Sequence, residues 1–235
     1  SDKFITKEEA ARVTTSDLQP GTEESTSIFS NNSNIKSFDG FQYFTQITEV
    51  PVLLFQYSRN LSSIKLPSTV ISIGKNAFFA TESLKSIELP ETLASIGDNA
   101  FNNSGLESIE LHEGITNVGR GILSKTKITG LTIPSAFGTV PMSMCSNCAN
   151  LAKVTIKEGI AEINSSAFAG CANLREIYML NETSPVLKGT PFGSTTYEYT
   201  GRNTYNAGVN TLYVPVGATG YDTGEWKNTL LNPDK

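Results

Sequence analysis

From Leu61 to Phe78 the chain runs LSSIKLPSTVISIGKNAF, and from Leu84 to Phe101 it repeats that pattern as LKSIELPETLASIGDNAF. With the lead Leu at offset 0, large apolar residues fall at offsets 3, 5, 9 and 12, Gly at 13, and Ala-Phe at 16 and 17. The register continues through copies led by Leu106, Ile128, Leu151 and Leu174, and backwards through a degenerate copy led by Phe38. Starts at 38, 61, 84, 106, 128, 151 and 174 are spaced 23, 23, 22, 22, 23 and 23 residues. A period of this length marks a solenoid, in which each coil buries its apolar face only against its neighbours.

The offsets assign local structure. Apolar residues at 3 and 5 alternate with polar ones, the period of a strand with one buried face. Such a short strand needs the same segment of the next coil as its partner. Parallel stacking at about 4.8 Å per coil predicts a ladder of about seven strands, roughly 30 Å long. Pro67, Pro90 and Pro134 at offset 6 lack a donor and are expected to end their strands. Offsets 9 and 12 turn a second apolar pair inward. Gly74, Gly97 and Gly119 are expected at a corner of positive φ, and Ala-Phe reads as about one helical turn closing the coil. Offset 8 holds Thr69, Thr92, Gly114 and Ala136, so no asparagine ladder is expected and Pro with Gly should shape that turn. Each buried Leu, Ile or Phe contributes roughly 1.5–3 kcal/mol, enough to hold a stack but not a lone coil.

The pattern L-x-x-I-x-L-P-x-x-[VIL]-x-x-I-G-x-x-A-F resembles the BspA-like class of leucine-rich repeats, found in surface and secreted proteins of Bacteroides-type bacteria and some protozoa. The likeness spans roughly Ile35 to Pro233, with IKSFDGFQYFTQIT similar to the family's opening segment and TLYVPVGATGYDTGEWKN to its closing one. It implies a mainly β, α/β repeat solenoid: a right-handed coil with a parallel strand ladder and short helical or 3-10 turns. It also implies a non-catalytic, secreted or cell-surface module that binds or adheres to a host extracellular protein or glycan. The alternative is a structural spacer holding another module at the cell surface. On this reading residues 1–34 are an N-terminal helix and loop, 35–60 an opening cap coil, 61–186 the regular coils, and 187–235 an irregular excursion with a C-terminal cap.

Composition narrows the partners. Eighteen Lys and Arg against 23 Asp and Glu give a net charge of −5, which opposes nucleic acid, whose phosphates demand a basic face. No apolar run approaches a membrane-spanning length. The chain opens at SDKFITKEEAARV without a visible signal peptide, and a removed targeting segment is expected. A monomer without cofactor or metal is the expected state.

Candidate chemistry is then weighed against the register. Thr6 and Glu9 have the spacing of a capping box. Asp2, Ile5, Thr6 and Glu9 also match the end of an EF-hand loop, but Lys3 stands where that loop needs Gly, so a capped helix is the better reading. Phe38, Phe41, Tyr43 and Phe44 are expected to seal the open end of the stack. Cys145 and Cys148 form a C-x-x-C, yet Cys145 stands at the offset of Phe78, while Cys148 and Cys171 share offset 20, so all three read as buried structural thiols.

Ligand-binding candidates are the outward strand positions Lys65, Glu88, Glu110, Thr132, Thr155 and Tyr178. Tyr197 and Tyr199 join them from the polar, Tyr-rich excursion 194–210, whose composition suits a binding loop or a hairpin, with TTYEYT and NTLYV as strands, packed on the last coil. Adjacent rungs would set Glu88 and Glu110 about 5 Å apart, near the spacing of a retaining glycosidase. An open rung offers no water-excluding pocket, so catalysis is not expected. Trp226, with Tyr221 and Leu230, is expected to close the far end.

Overall fold

A computed structural model describes residues 6–18, 27–192, 211–222 and 226, and the coils stack as a parallel β-solenoid. Three sets of bonds join one coil to the next. On the front face Ser37–Phe38 pairs with Ser63–Ile64, and Gly130–Ile133, Lys153–Ile156, Glu176–Met179 and Thr211–Tyr213 pair in that order. At the second bend Glu49–Val50, Ser72–Ile73, Ser95–Ile96 and Asn117–Val118 form one ladder. Thr139–Val140, Glu162–Ile163 and Val186–Leu187 form another.

The front ladder is therefore not the continuous run the periodicity predicts. Among the described residues no ladder bond joins the rungs at 86–89 or 108–111 to a neighbour. Their apolar positions still point inward: Ile64 and Ile87 are buried and Ile109 half-buried. Burial is set by the side chains, whereas strand pairing needs backbones at one fixed spacing. The second ladder also stops between Asn117–Val118 and Thr139–Val140.

What never breaks is the back. The amide at offset 17 donates to the next coil throughout, from Phe55 to Ala77, Phe78 to Ala100, Phe101 to Ile122, Leu123 to Met144, Cys145 to Ala167 and Phe168 to Pro191. Between these, Ala77 N–H donates to Gly74 and Phe79 N–H to Asn76 within the coil. The Ala-Phe stretch is thus a ribbon of consecutive β-turns rather than the expected helical turn. Left-handed residues recur at offsets 15 and 19, as in Asn76 with Ala80, Asn99 with Asn103, and Ser143 with Asn147. Each rotates an N–H out of its own coil toward the next, which a helix would keep for itself.

Gly74, Gly97 and Gly119 are corrected in the same way, for none has positive φ. They are needed for close approach: an added Cβ would lie 2.6 Å from Val52 N, 2.7 Å from Lys75 N and 2.5 Å from Asp98 N respectively. The neighbouring turn is also held by more than Pro and Gly. Thr69 Oγ1 donates to Ile47 O at 2.7 Å and Thr92 Oγ1 to Val70 O at 2.8 Å. Where Gly114 replaces Thr, His112 substitutes, with Nε2 3.1 Å from Pro90 O and Nδ1 accepting from Gly114 N–H.

Inside, Phe29, Phe55, Phe78 and Phe101 stack at centroid spacings of 5.6, 5.3 and 5.3 Å. Phe41 and Phe44 are buried against this column with Phe38 edge-on to Phe55, so the expected seal is present. Thr6 and Glu9 form a full capping box on Lys7–Ala10. At the far end Trp226 is buried and donates to Pro185 O, and Tyr221 donates to Asn181 O. Leu230 lies outside the described residues.

Candidate functional site

The front strands carry their polar side chains outward in two rows. Ladder register sets Thr132, Thr155, Tyr178 and Tyr213 side by side, with Gly130, Lys153 and Glu176 in the row beside them. Thr132 is exposed and Thr155 and Tyr178 half-buried. Lys65, Glu88 and Glu110 are exposed; Lys65 directly follows Ser63–Ile64, which pairs only with Ser37–Phe38, and the rungs of Glu88 and Glu110 have no ladder partner. Glu107 N–H donates to Lys85 O at 2.8 Å just before these rungs, but no ladder bond continues the pairing to Glu88 and Glu110. Tyr197 and Tyr199, like TTYEYT and all of 194–210, lie outside the described residues. Thr211–Tyr213 pairs in parallel with Glu176–Met179, as the next rung of the front ladder.

Two features give this face relief. Between the Ile109–Leu111 rung and the Gly130–Ile133 strand lies an open cleft of about 490 Å³, reaching Glu110, Thr132, Lys153, Thr155 and Lys157. Beside it, Tyr178 and Tyr213 stack at 4.2 Å and Lys153 Nζ stands 4.3 Å from the Tyr178 ring, an arrangement worth about 0.5–1 kcal/mol at an exposed site. Loss of surrounding water, then Tyr213 and Glu176, push the Tyr178 hydroxyl up to about 12. It stays a neutral hydrogen-bond donor across physiological pH.

Glu113, which the repeat pattern does not single out, stitches three coils. It accepts from Lys157 Nζ at 2.7 Å, Ser135 Oγ at 2.9 Å and Ala136 N at 3.1 Å. Lys157 first, then the Ala136 N–H, hold its carboxyl down to about 2. The stitch spans the junction where both ladders are interrupted.

The sequence profile described as BspA type Leucine rich repeat region matches in six copies over residues 18–78 and 48–175, more than half of the chain. The chain belongs to the BspA-type leucine-rich-repeat family. No curated protein matches it. Among solved structures, this BspA-type chain is similar to a leucine-rich repeat protein from Bacteroides ovatus, at 24% identity and a TM-score of 0.52, covering 60% of this chain and 40% of that one. It thus spans about two fifths of that protein's length. It is also similar to a leucine rich cell surface protein from Faecalibacterium prausnitzii, at 17% identity and a TM-score of 0.47, covering 83% and 65% of the two chains. The leucine-rich-repeat protein of T. pallidum matches at 19% identity and a TM-score of 0.39, covering 74% and 75%.

The cysteines of this BspA-type solenoid are free and wholly buried, and offset 20 explains two of them. Ser58, Thr81, Ser104 and Thr126 occupy it in the preceding coils, all buried. Thr81 Oγ1 donates to Phe78 O and Thr126 Oγ1 to Leu123 O. Cys148 Sγ donates to Leu123 O and Cys171 Sγ to Cys145 O, each at 3.0 Å. The thiols continue a column in which Ser58, Thr81 and Thr126, though not Ser104, donate to backbone carbonyls, a role beyond the apolar filling expected from sequence. Burial, then Cys148, push the Cys145 thiol well up. Among the described residues no group of three or more His, Cys, Asp or Glu is arranged for a metal, and no helix is long and apolar enough to cross a membrane.

Proposed function

We propose that this chain is a non-catalytic extracellular recognition module whose front face, from Lys65 to Tyr178, docks a protein or glycan. The observation that carries this reading is the front relief: a polar two-row surface interrupted by one open cleft and flanked by stacked tyrosines. Family membership supports the binding role and a location outside the cell or on its surface. The relevant experiment immobilises extracellular-matrix proteins and glycans and measures capture by the chain. A variant combining Lys65→Ala, Glu88→Ala, Glu110→Ala and Tyr178→Ala should lose capture with its melting temperature unchanged. Unaltered capture would place the site elsewhere, and a chain that captures nothing would be a spacer.

A further inference from the structure

We infer that the cleft beside the Gly130–Ile133 strand receives one neutral pyranose unit of a glycan; this rests on the front-face reading. Its size, about 490 Å³, lies within the roughly 300–1,000 Å³ of ordinary ligand pockets. Gly130 leaves a gap in a lining that also includes Ile109, Leu111 and Leu131. Gly130 offers no side chain, with only Lys153 O within 4 Å of an added Cβ, at 3.8 Å. The outer edge of the Gly130–Ile133 strand and the facing Ile109–Leu111 rung have no ladder partner in each other. Donors and acceptors left open along a cleft call for a partner that supplies both.

The walls sort the chemistry further. Glu110, Thr132 and Thr155 make no side-chain hydrogen bond or ion pair among the described residues, so they are free to engage a ligand. Glu110 lines one side and Lys153 and Lys157 the other, with the Lys153 ammonium over the Tyr178 ring and the Lys157 ammonium on Glu113. Sugar hydroxyls donate to the Glu110 carboxylate and can both donate to and accept from the Thr132 and Thr155 hydroxyls. A sugar carboxylate would meet Glu110, with Glu113 already holding Lys157. An added peptide strand would need about 4.8 Å to each neighbour. The two coils are already bonded at the mouth of the rung, Lys127 N to Leu106 O at 2.9 Å. A compact polyol fits where a strand does not.

The test titrates the isotope-labelled chain with the methyl glycosides of glucose, galactose, mannose and N-acetylglucosamine at millimolar concentration, with N-acetylneuraminic acid as the anionic comparison. At least one neutral glycoside should shift the amides of Glu110, Thr132 and Thr155 saturably. Glu110→Ala with Thr132→Val should weaken that binding by roughly tenfold or more without changing the melting temperature, while Lys75→Ala, at an exposed position away from the front strands, should leave it as it was. Saturable shifts from the anionic sugar alone, none from any neutral probe, or indifference to the cleft variant would overturn the inference. If the cleft variant then still captures a ligand that the four-residue variant does not, the front-face reading stands without the sugar. Should both variants capture equally, that reading fails as well.

Discussion

Phe101 shows how one residue reports on the whole stack. It is fully buried, parallel to Phe78 within 6° at 5.3 Å, and its own amide donates to Ile122. Phe101→Ala removes a ring that neighbouring coils cannot collapse to fill. The expected loss is about 3–5 kcal/mol in denaturant unfolding, whereas a loss below about 1 kcal/mol is the range of surface sites. The thiols offer a second residue-scale check. Cys145, Cys148 and Cys171 should resist a maleimide in the folded chain and react together once it unfolds, since reactivity needs an accessible thiolate. Labelling of Cys148 or Cys171 at native stability would mean that the column at offset 20 opens, and labelling of Cys145 that the Phe column at offset 17 does. That column was half legible. The shared offset of Cys148 and Cys171 is visible in sequence, but the carbonyl partners of the Ser and Thr hydroxyls above them are not. The conserved-looking spacing of Gly74, Gly97 and Gly119 was legible too, though backbone crowding rather than φ explains it.

Elements divide into those that side-chain pattern dictates and those it does not. The inward set, from Ile64 to Ile177, could be read directly because burial follows apolar identity. Backbone pairing could not. Ser-Ile-Glu-Leu at 86–89 alternates apolar and polar positions just as Gly-Leu-Thr-Ile at 130–133 does, yet only the second is laddered. Whether two rungs pair depends on how the corners behind them set the distance between coils. Two of the three unladdered junctions follow a coil of 22 residues. Such a coil drops one residue of its connector, and Gly105 is drawn against Glu82, leaving no room for a Cβ. Hydrogen exchange separates the two kinds of rung. Amides of Ile87–Leu89 and Ile109–Leu111 should exchange well ahead of Val154 and Ile156, because only the latter lie inside a bonded ladder. Equal protection would show that the front is bonded throughout.

For the whole molecule, Glu113 adds a side-chain tie, beside the back ribbon, across the junction between the two laddered blocks. Sequence alone hides it: its partner Lys157 is 44 residues away, across a coil whose Ser135 also donates to the same carboxylate. Its carboxyl is held to about 2 against an ordinary 4.5. A carboxyl held low favours the folded chain above its unfolded pKa, and that contribution fades as pH falls toward the folded value. Melting temperatures of the chain and of Glu113→Gln should therefore differ at pH 6 and converge as pH drops from about 4.5 to about 2. A constant gap would mean that the charge is not what matters.

The unbroken ribbon along the back has a mechanical meaning. Under tension along the stacking axis, the load crosses most junctions through both a ladder and the ribbon, but between Val118 and Thr139 it has no ladder to share it. Strain would gather there, and the rod would part into two shorter rods before either one unravelled.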